Sequence, residues 1–213
     1  MPMLFANRSD AGRQLATALA DLRDSPDAIV LGIPRGGVAV AAEIARSLHL
    51  PLDIFLARKL GVPGHEELAF GAVAANGTRY LDAQIVQHAR LTQEQIDEIT
   101  GATLRLLKER ANLYRAGREP LHVAGKAAIL VDDGIATGSS FHAAIFALRE
   151  LRPAQVIAAT PVAPPSTAAR LGTYVDRFVC LQTPPGFFAV GQFYAEFAQL
   201  CDSDVVQLLN SSR

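Results

Sequence analysis

The residues most suited to chemistry lie in one short run at positions 129–140, Ile-Leu-Val-Asp-Asp-Gly-Ile-Ala-Thr-Gly-Ser-Ser. An apolar strand ends there in two acids, and a Thr-Gly-Ser-Ser turn then opens a helix. In open α/β sheets ligands bind at that edge. Backbone N–H groups from Ala136, Thr137, Gly138, Ser139 and Ser140, helped by the helix dipole and three hydroxyls, can hold a phosphate dianion. Glycine at 138 lets the chain come close to it. Asp132 and Asp133 would repel a phosphate placed beside them, but they suit a cis-diol, whose hydroxyls donate to carboxylates. Together these residue types ask for a ribose 5-phosphate.

The elements that must position this run follow from the apolar pattern. Residues 28–33 read as a strand buried on both faces, preceded by a helix capped at Ser9 with Leu15, Leu19 and Leu22 on one face. The turn Pro34-Arg35-Gly36-Gly37 opens a helix over 38–48, and 52–57 forms the next strand, so this part is a parallel βαβ unit. Residues 58–68 carry charge and turn formers and read as a loop, leading to a strand at 69–74. Asn76-Gly77 makes a hairpin turn returning through 78–81. Thr92-Gln-Glu-Gln95 is a capping box that starts a long polar helix to about 116. Beyond Gly117 the reading is strand 127–132, helix 140–151, strand 155–160, a proline-rich turn 161–165, helix 166–171, strand 177–181 and a terminal helix 202–209. The expected fold class is α/β, a doubly wound, mostly parallel sheet. One domain is expected over 1–213, with its core at about 28–181, an inserted helical segment at about 82–118, and a small hood from about 1–24 and 182–213.

On these residues the chain resembles the type I phosphoribosyltransferases, whose signature places hydrophobic residues before two acids and a short loop ending in Thr-Gly. The resemblance covers about 28–181. It implies binding of 5-phosphoribosyl 1-pyrophosphate (PRPP), with Mg²⁺ held by pyrophosphate and ribose oxygens and, through water or the ribose hydroxyls, by Asp132 and Asp133. It also implies displacement of pyrophosphate by a nitrogen nucleophile. In the family a loop after the first strand, often with a non-proline cis peptide, binds pyrophosphate through main-chain amides; Pro34, Arg35, Gly36 and Gly37 stand there. A mobile loop between the second and third strands corresponds to 58–68, where Arg58 and Lys59 would offset leaving-group charge, with Gly61 and Gly64 as hinges. Asp132, Asp133, Lys59 and Arg35 are thus the expected catalytic residues. In family members acting on 6-oxopurines the residue before the motif's Thr is usually Asp; Ala136 stands there and cannot move a proton, which disfavours a hypoxanthine or guanine acceptor. The hood would recognise the base, with Phe187, Phe188 or Tyr194 stacking on it and Gln192 reading its edge, joined by Phe5 and Arg8.

Composition narrows the alternatives. A formal net charge of -1 gives no basic footprint for nucleic acid. A PRPP- or nucleotide-binding regulator without transferase activity remains the alternative, with Lys108, Arg110, Arg115 and Arg118 as its candidate nucleic-acid surface, although cations in the last turns of a helix also complement its dipole. No Gly-x-x-x-x-Gly-Lys-Ser/Thr loop is present, and Ile135 follows Asp132-Asp133-Gly134 where an aspartyl phosphatase motif would have Thr. His65-Glu66-Glu67 reads as exposed polarity rather than a metal site. Two cysteines without framework spacing, no signal-like N-terminus and no membrane-length apolar run suggest a cytoplasmic protein. The expected partners are PRPP and a base or nucleotide, with no membrane. A homodimer is consistent with the resemblance, though no interface is assignable.

Overall fold

The computed structural model describes residues 4–211. Parts of the expected hood, residues 1–3 and 212–213, lie outside them. Strands β1 (Ala28–Gly32), β2 (Leu52–Ile54), β6 (Ala127–Val131), β7 (Gln155–Val162) and β8 (Arg177–Gln182) form one parallel sheet in the order β2-β1-β6-β7-β8. Every residue of β1 is buried, because helices cover both faces. That is why its sequence is continuously apolar rather than alternating. On one face α1 (Arg8–Ala18), α2 (Gly36–Leu48) and α7 (Asp202–Ser211) pack Leu15, Ile44 and Leu209 against Val30 and Ile129. On the other, α5 (Ser139–Arg149) and α6 (Pro165–Gly172) pack Phe141, Ile145 and Leu171 against Ile29 and Leu130. The expected doubly wound α/β class is therefore correct. The strand order reverses between β1 and β6, so the loops leaving those two strands diverge and open a crevice at the sheet's C-terminal edge.

A second, antiparallel sheet holds β3 (Ala57–Val62), β4 (His65–Ala74) and β5 (Arg79–Leu81). This corrects the expected loop at 58–68: Arg58 and Lys59 stand on a strand, and Gly61 sits at a register shift where a Cβ would meet Glu66 O at 2.7 Å. Charge and glycine suggested a loop, yet Leu60 and Val62 alternate inward with Phe70 and Val73 to form a separate core. The long helix α4 (Gln93–Arg115) closes that core with Ile96 and Leu107. The capping box on Thr92 and Gln95 is present, as expected. The Asn76-Gly77 turn also forms, Gly77 at φ +91°.

Several boundaries moved for local reasons. Asn7, not Ser9, caps α1, its side chain accepting from Asp10 N at 3.0 Å. The strand expected over 52–57 divides into β2 and the start of β3. Pro161 continues β7 instead of starting a turn. A short helix α3 (Ala83–His88), capped by Asp82, follows β5 and was not expected. Arg115 donates to both Asp53 oxygens at 3.1 Å, and Arg118 donates to Leu209 O. Two cations of the candidate nucleic-acid surface thus tie α4 and its exit to the main sheet and α7.

The crossing of α1 and α2 rests on Gly12, where a Cβ would lie 2.5 Å from Glu43 Cβ and 2.7 Å from Val40 O. Gly12→Ala gains about 1 kcal/mol of helix propensity. Overpacking against backbone costs about 1–3 kcal/mol and should win. Urea unfolding should show a net loss of stability; an unchanged midpoint would mean that the crossing can relax.

Candidate functional site at the sheet's switch point

The two segments singled out in the sequence meet at the switch point. Ile33 N donates to Val131 O at 2.9 Å, setting the β1 exit beside the β6 exit. The Pro34-Arg35 peptide is cis. A Cβ on Gly36 would lie 1.8 Å from Asp133 Oδ2, and one on Gly37 2.5 Å from Val131 O. These glycines are required because backbone lies directly against the acids. Asp132 N and Ile135 N donate to the β7 carbonyls Ala159 and Val162, and Asp133 N donates to Asp132 Oδ1 at 2.9 Å, so the acidic turn is held by main-chain bonds.

The turn that follows is held from behind. Thr167 Oγ1 donates to Ala136 O at 2.9 Å, and Arg170 Nη2 donates to Thr137 O at 2.6 Å. Gly138 takes φ +75° as the N-cap of α5, and no side chain caps that helix. Its first-turn N–H groups have no intrahelical acceptor. Ser139 and Ser140 flank that helix start, Ala136 and Thr137 are exposed, and the Thr137 and Ser139 hydroxyls lie 3.4 Å apart. An uncapped helix start with hydroxyls around it has the donors to seat an anion.

Asp133 has a partner that sequence reasoning did not assign. Arg8, expected only as hood material, donates from Nε to Asp133 Oδ2 at 2.8 Å and from Nη1 to Ala198 O at 2.8 Å. Its guanidinium lies 3.8 Å from the centre of the Phe197 ring. Arg8 and Asp133 side chains are only 12% and 14% exposed. Together with Arg35, Gly36 and residues 198–200 they line a cleft of about 310 Å³. Arg35 lies 3.7 Å from Asp202, which accepts from the Tyr114 hydroxyl at 2.7 Å. Neither Arg8 nor Phe197 stood in a recognisable motif.

Lys59 lies elsewhere. It lines a different cavity, with Ser139 and Arg170, while the adjacent Arg58 is exposed. The hood also differs from expectation. Tyr194 is 3% exposed, and its hydroxyl donates to Asp133 O. Burial pushes that phenol far up, so it stays a donor. Gln192 Oε1 accepts from the Phe188 and Ala189 amides at 3.0 and 3.1 Å, and its Nε2 donates to Gly186 O. Phe187 packs on Phe193. The stacking role of Tyr194 and the edge-reading role of Gln192 are corrected accordingly: the ring is enclosed and the amide is engaged in its own loop. Phe188, 91% exposed, keeps a free face.

Burial, and next the Asp133 carboxylate, push Asp132 well above the usual carboxylate range. The folded chain therefore binds this proton more tightly than the unfolded chain. The stability linked to it is complete at pH below the unfolded carboxyl's range and is lost as pH rises through the raised folded value. Asp132→Asn should raise the unfolding temperature at neutral pH, with the gain shrinking towards acid. A gain that grows on acidification would contradict this sign.

Among the described residues no helix is long and apolar enough to cross a membrane. The family model for the phosphoribosyl transferase domain matches residues 6–197. Two Mycobacterium tuberculosis proteins, MT0597 of strain CDC 1551 and Rv0571c of strain H37Rv, provisionally named phosphoribosyl transferases, are each 45% identical over 207 residues. That is 97% of this chain but 46% of theirs, so the chain spans about half the length of these relatives. The crystal structure of TT1426 from Thermus thermophilus superposes with a TM-score of 0.91 at 39% identity, covering 98% of this chain and 99% of that one. With a family match that takes in both loops at the switch point, the chain belongs to the phosphoribosyl transferase domain family.

Proposed function

We propose that the chain is a Mg²⁺-dependent phosphoribosyltransferase that joins a nitrogenous base to the ribose of PRPP and releases pyrophosphate. The observation that carries this reading is the juxtaposition of an uncapped α5 start with an acidic pair, against which Gly36 and Gly37 lie without side chains. The amides and hydroxyls of residues 136–140 take the 5-phosphate. Asp132 and Asp133 accept from the ribose hydroxyls, and the amides of residues 35–37, with the Arg35 side chain, face the pyrophosphate.

The acids suit the metal of this chemistry. Among the described residues no group of three ligating side chains exists, so the protein alone does not form a cage. Magnesium bound by one or two carboxylates and completed by substrate phosphates and water matches that donor set. When bound, it would neutralise charge on the leaving pyrophosphate. The chain's own contribution is position and electrostatics. The two carboxylates orient the ribose and sit near the carbon where positive charge grows, while Arg35 and the loop amides stabilise the departing anion. Arg8 occupies Asp133 Oδ2, so ribose hydroxyls reach that oxygen by sharing or displacing the guanidinium. Phe188 is the exposed aromatic face left for the acceptor, and Ala136 speaks against a 6-oxopurine. The free thiols of Cys180 and Cys201 suit a reducing cytoplasm.

The test supplies PRPP and Mg²⁺ with a panel of purines, pyrimidines and pyridine carboxylates and follows pyrophosphate release. Asp133→Asn should lower turnover on the best base by about 10²–10³-fold, the scale of losing one aligned electrostatic group. Donor binding without turnover on any base would move the chain to a donor-binding regulatory role. Failure to bind the donor at about millimolar concentration, an affinity of roughly 4 kcal/mol, would reject both readings.

A further inference from the structure

The long helix α4 has two apolar faces, and the rest of the chain covers one of them. Ile96 and Leu107 turn into the core of the antiparallel sheet, and Tyr114 into that of the main sheet. Leu106 and Leu113 stand on a different face, and each is 52% exposed. At 3.6 residues per turn, residues seven apart return to within about 20° of each other, so these two leucines lie in one line. Ala102, also exposed, continues that line one turn before Leu106, and Ile99, partly buried against the antiparallel sheet's core, stands at its start. The spacing 99, 102, 106 and 113 is that of a helix-pairing seam. Single surface leucines are ordinary. A stripe extending over about four turns of an otherwise polar outer surface points to a packing partner.

The charges beside the stripe define that partner. When two copies of a helix pack antiparallel about a two-fold axis, each flank of the seam meets the same flank of the other copy. Like charges at matching levels would then repel, so a self-pairing flank must carry both signs. One flank here holds Arg105 and Glu109, a turn apart and both exposed. Among the described residues the ion pairs of α4 are Arg79–Asp97 and Arg115–Asp53, so neither Arg105 nor Glu109 is committed to one within the chain. The other flank holds Thr103 and Arg110. A membrane surface would call for a polar face of cations around the apolar stripe. The mixed flank fits a second copy of the same helix instead.

We propose that the outer stripe of α4 is the interface of an antiparallel homodimer. A two-fold axis at the level of Leu107 sets the two Leu106 side chains together at the centre. Each Leu113 then lies over the partner's Ala102, whose small side chain leaves room for it. Arg105 comes level with the partner's Glu109, and Glu109 with the partner's Arg105, so one ion pair forms twice. On the other flank Arg110 comes level with the partner's Thr103 instead of a second cation. One helix from each copy makes a small interface, of the weak and reversible class, with a dissociation constant on the order of 10–100 μM.

The experiment is sedimentation equilibrium of the full chain from about 5 to 500 μM, a range that brackets this affinity. The wild-type chain should pass from monomer to dimer across it. Leu106→Lys and Leu113→Lys, at half-exposed positions, should each weaken association at least about tenfold. Arg105→Glu and Glu109→Arg should each weaken it as well, because each sets like charges against each other twice. An equimolar mixture of these two charge variants should dimerise as the wild type does, since each copy offers the sign that the other lacks. A role confined to pairing within one helix, where residues four apart are neighbours, would not be restored by mixing. Phe188→Ser, which removes a large exposed ring elsewhere, should leave association unchanged. Circular dichroism checks that each variant is folded, and the fully solvated charge variants serve if a leucine variant unfolds. The proposal is overturned if the chain stays monomeric throughout the range, or if a dimer forms that the leucine variants leave intact. It is equally overturned if Phe188→Ser dissolves the dimer, or if the mixed charge variants associate no better than either alone. None of these results depends on whether the chain transfers ribose.

Discussion

The close approach of Gly36 and Gly37 to the end of β6 governs the geometry of this protein's site. Asp133 and its backbone neighbours occupy the volume that side chains at 36 and 37 would need. Two loops that are far apart in the chain therefore share one wall of the crevice, and the glycine backbone of the first lies against the acids of the second. The parallel order β2-β1-β6 makes the meeting possible, because neighbouring parallel strands deliver their C-terminal ends to the same edge. Hydrophobic burial on both faces of the sheet holds that edge in place, while the acids themselves are destabilising: Asp132 sits where burial disfavours its charge.

The chain ends complete the crevice from above. Phe5 and Tyr194 pack with centroids 5.4 Å apart, Phe5 and Leu4 donate backbone bonds to Phe193 O, and Val190 lies over Gly134. Through these contacts Arg8 reaches Asp133 and Phe197 comes under the guanidinium. The cation offsets the repulsion between adjacent carboxylates, so the acidic pair is tolerable without a ligand. The segments that carry Arg8 and Phe197 thus give the acids an electrostatic partner.

The antiparallel sheet has its own core under α4 and contacts the main domain along α5. It brings Lys59 to the lining of a cavity that Ser139 at the start of α5 also lines. The same packing gives that cavity aromatic walls, since Tyr80 from β5 meets Phe146 from α5 there. A strand, rather than the expected loop, thus carries Arg58 and Lys59.

Local sequence determined the order of strands and helices in the main sheet, the capping box at Thr92, the hairpin turn at Asn76-Gly77 and the turn at Gly138 that opens α5. Each depends on contacts within a few residues or on burial periodicity. The family resemblance likewise rested on the contiguous run 129–140, where strand, acids, glycine and hydroxyls are read in one line. The hairpin at 57–74 was less legible: its one buried face is only Leu60, Val62, Phe70 and Val73, and charged neighbours masked the alternation. Tertiary structure alone decided the pairing of Arg8 with Asp133, 125 residues apart, the inward turn of Tyr194, and the engagement of Gln192 by its own loop. No periodicity encodes such contacts. They arise when separate elements, each stabilised by its own apolar face, are packed together and their polar groups find whatever partners that packing brings within reach.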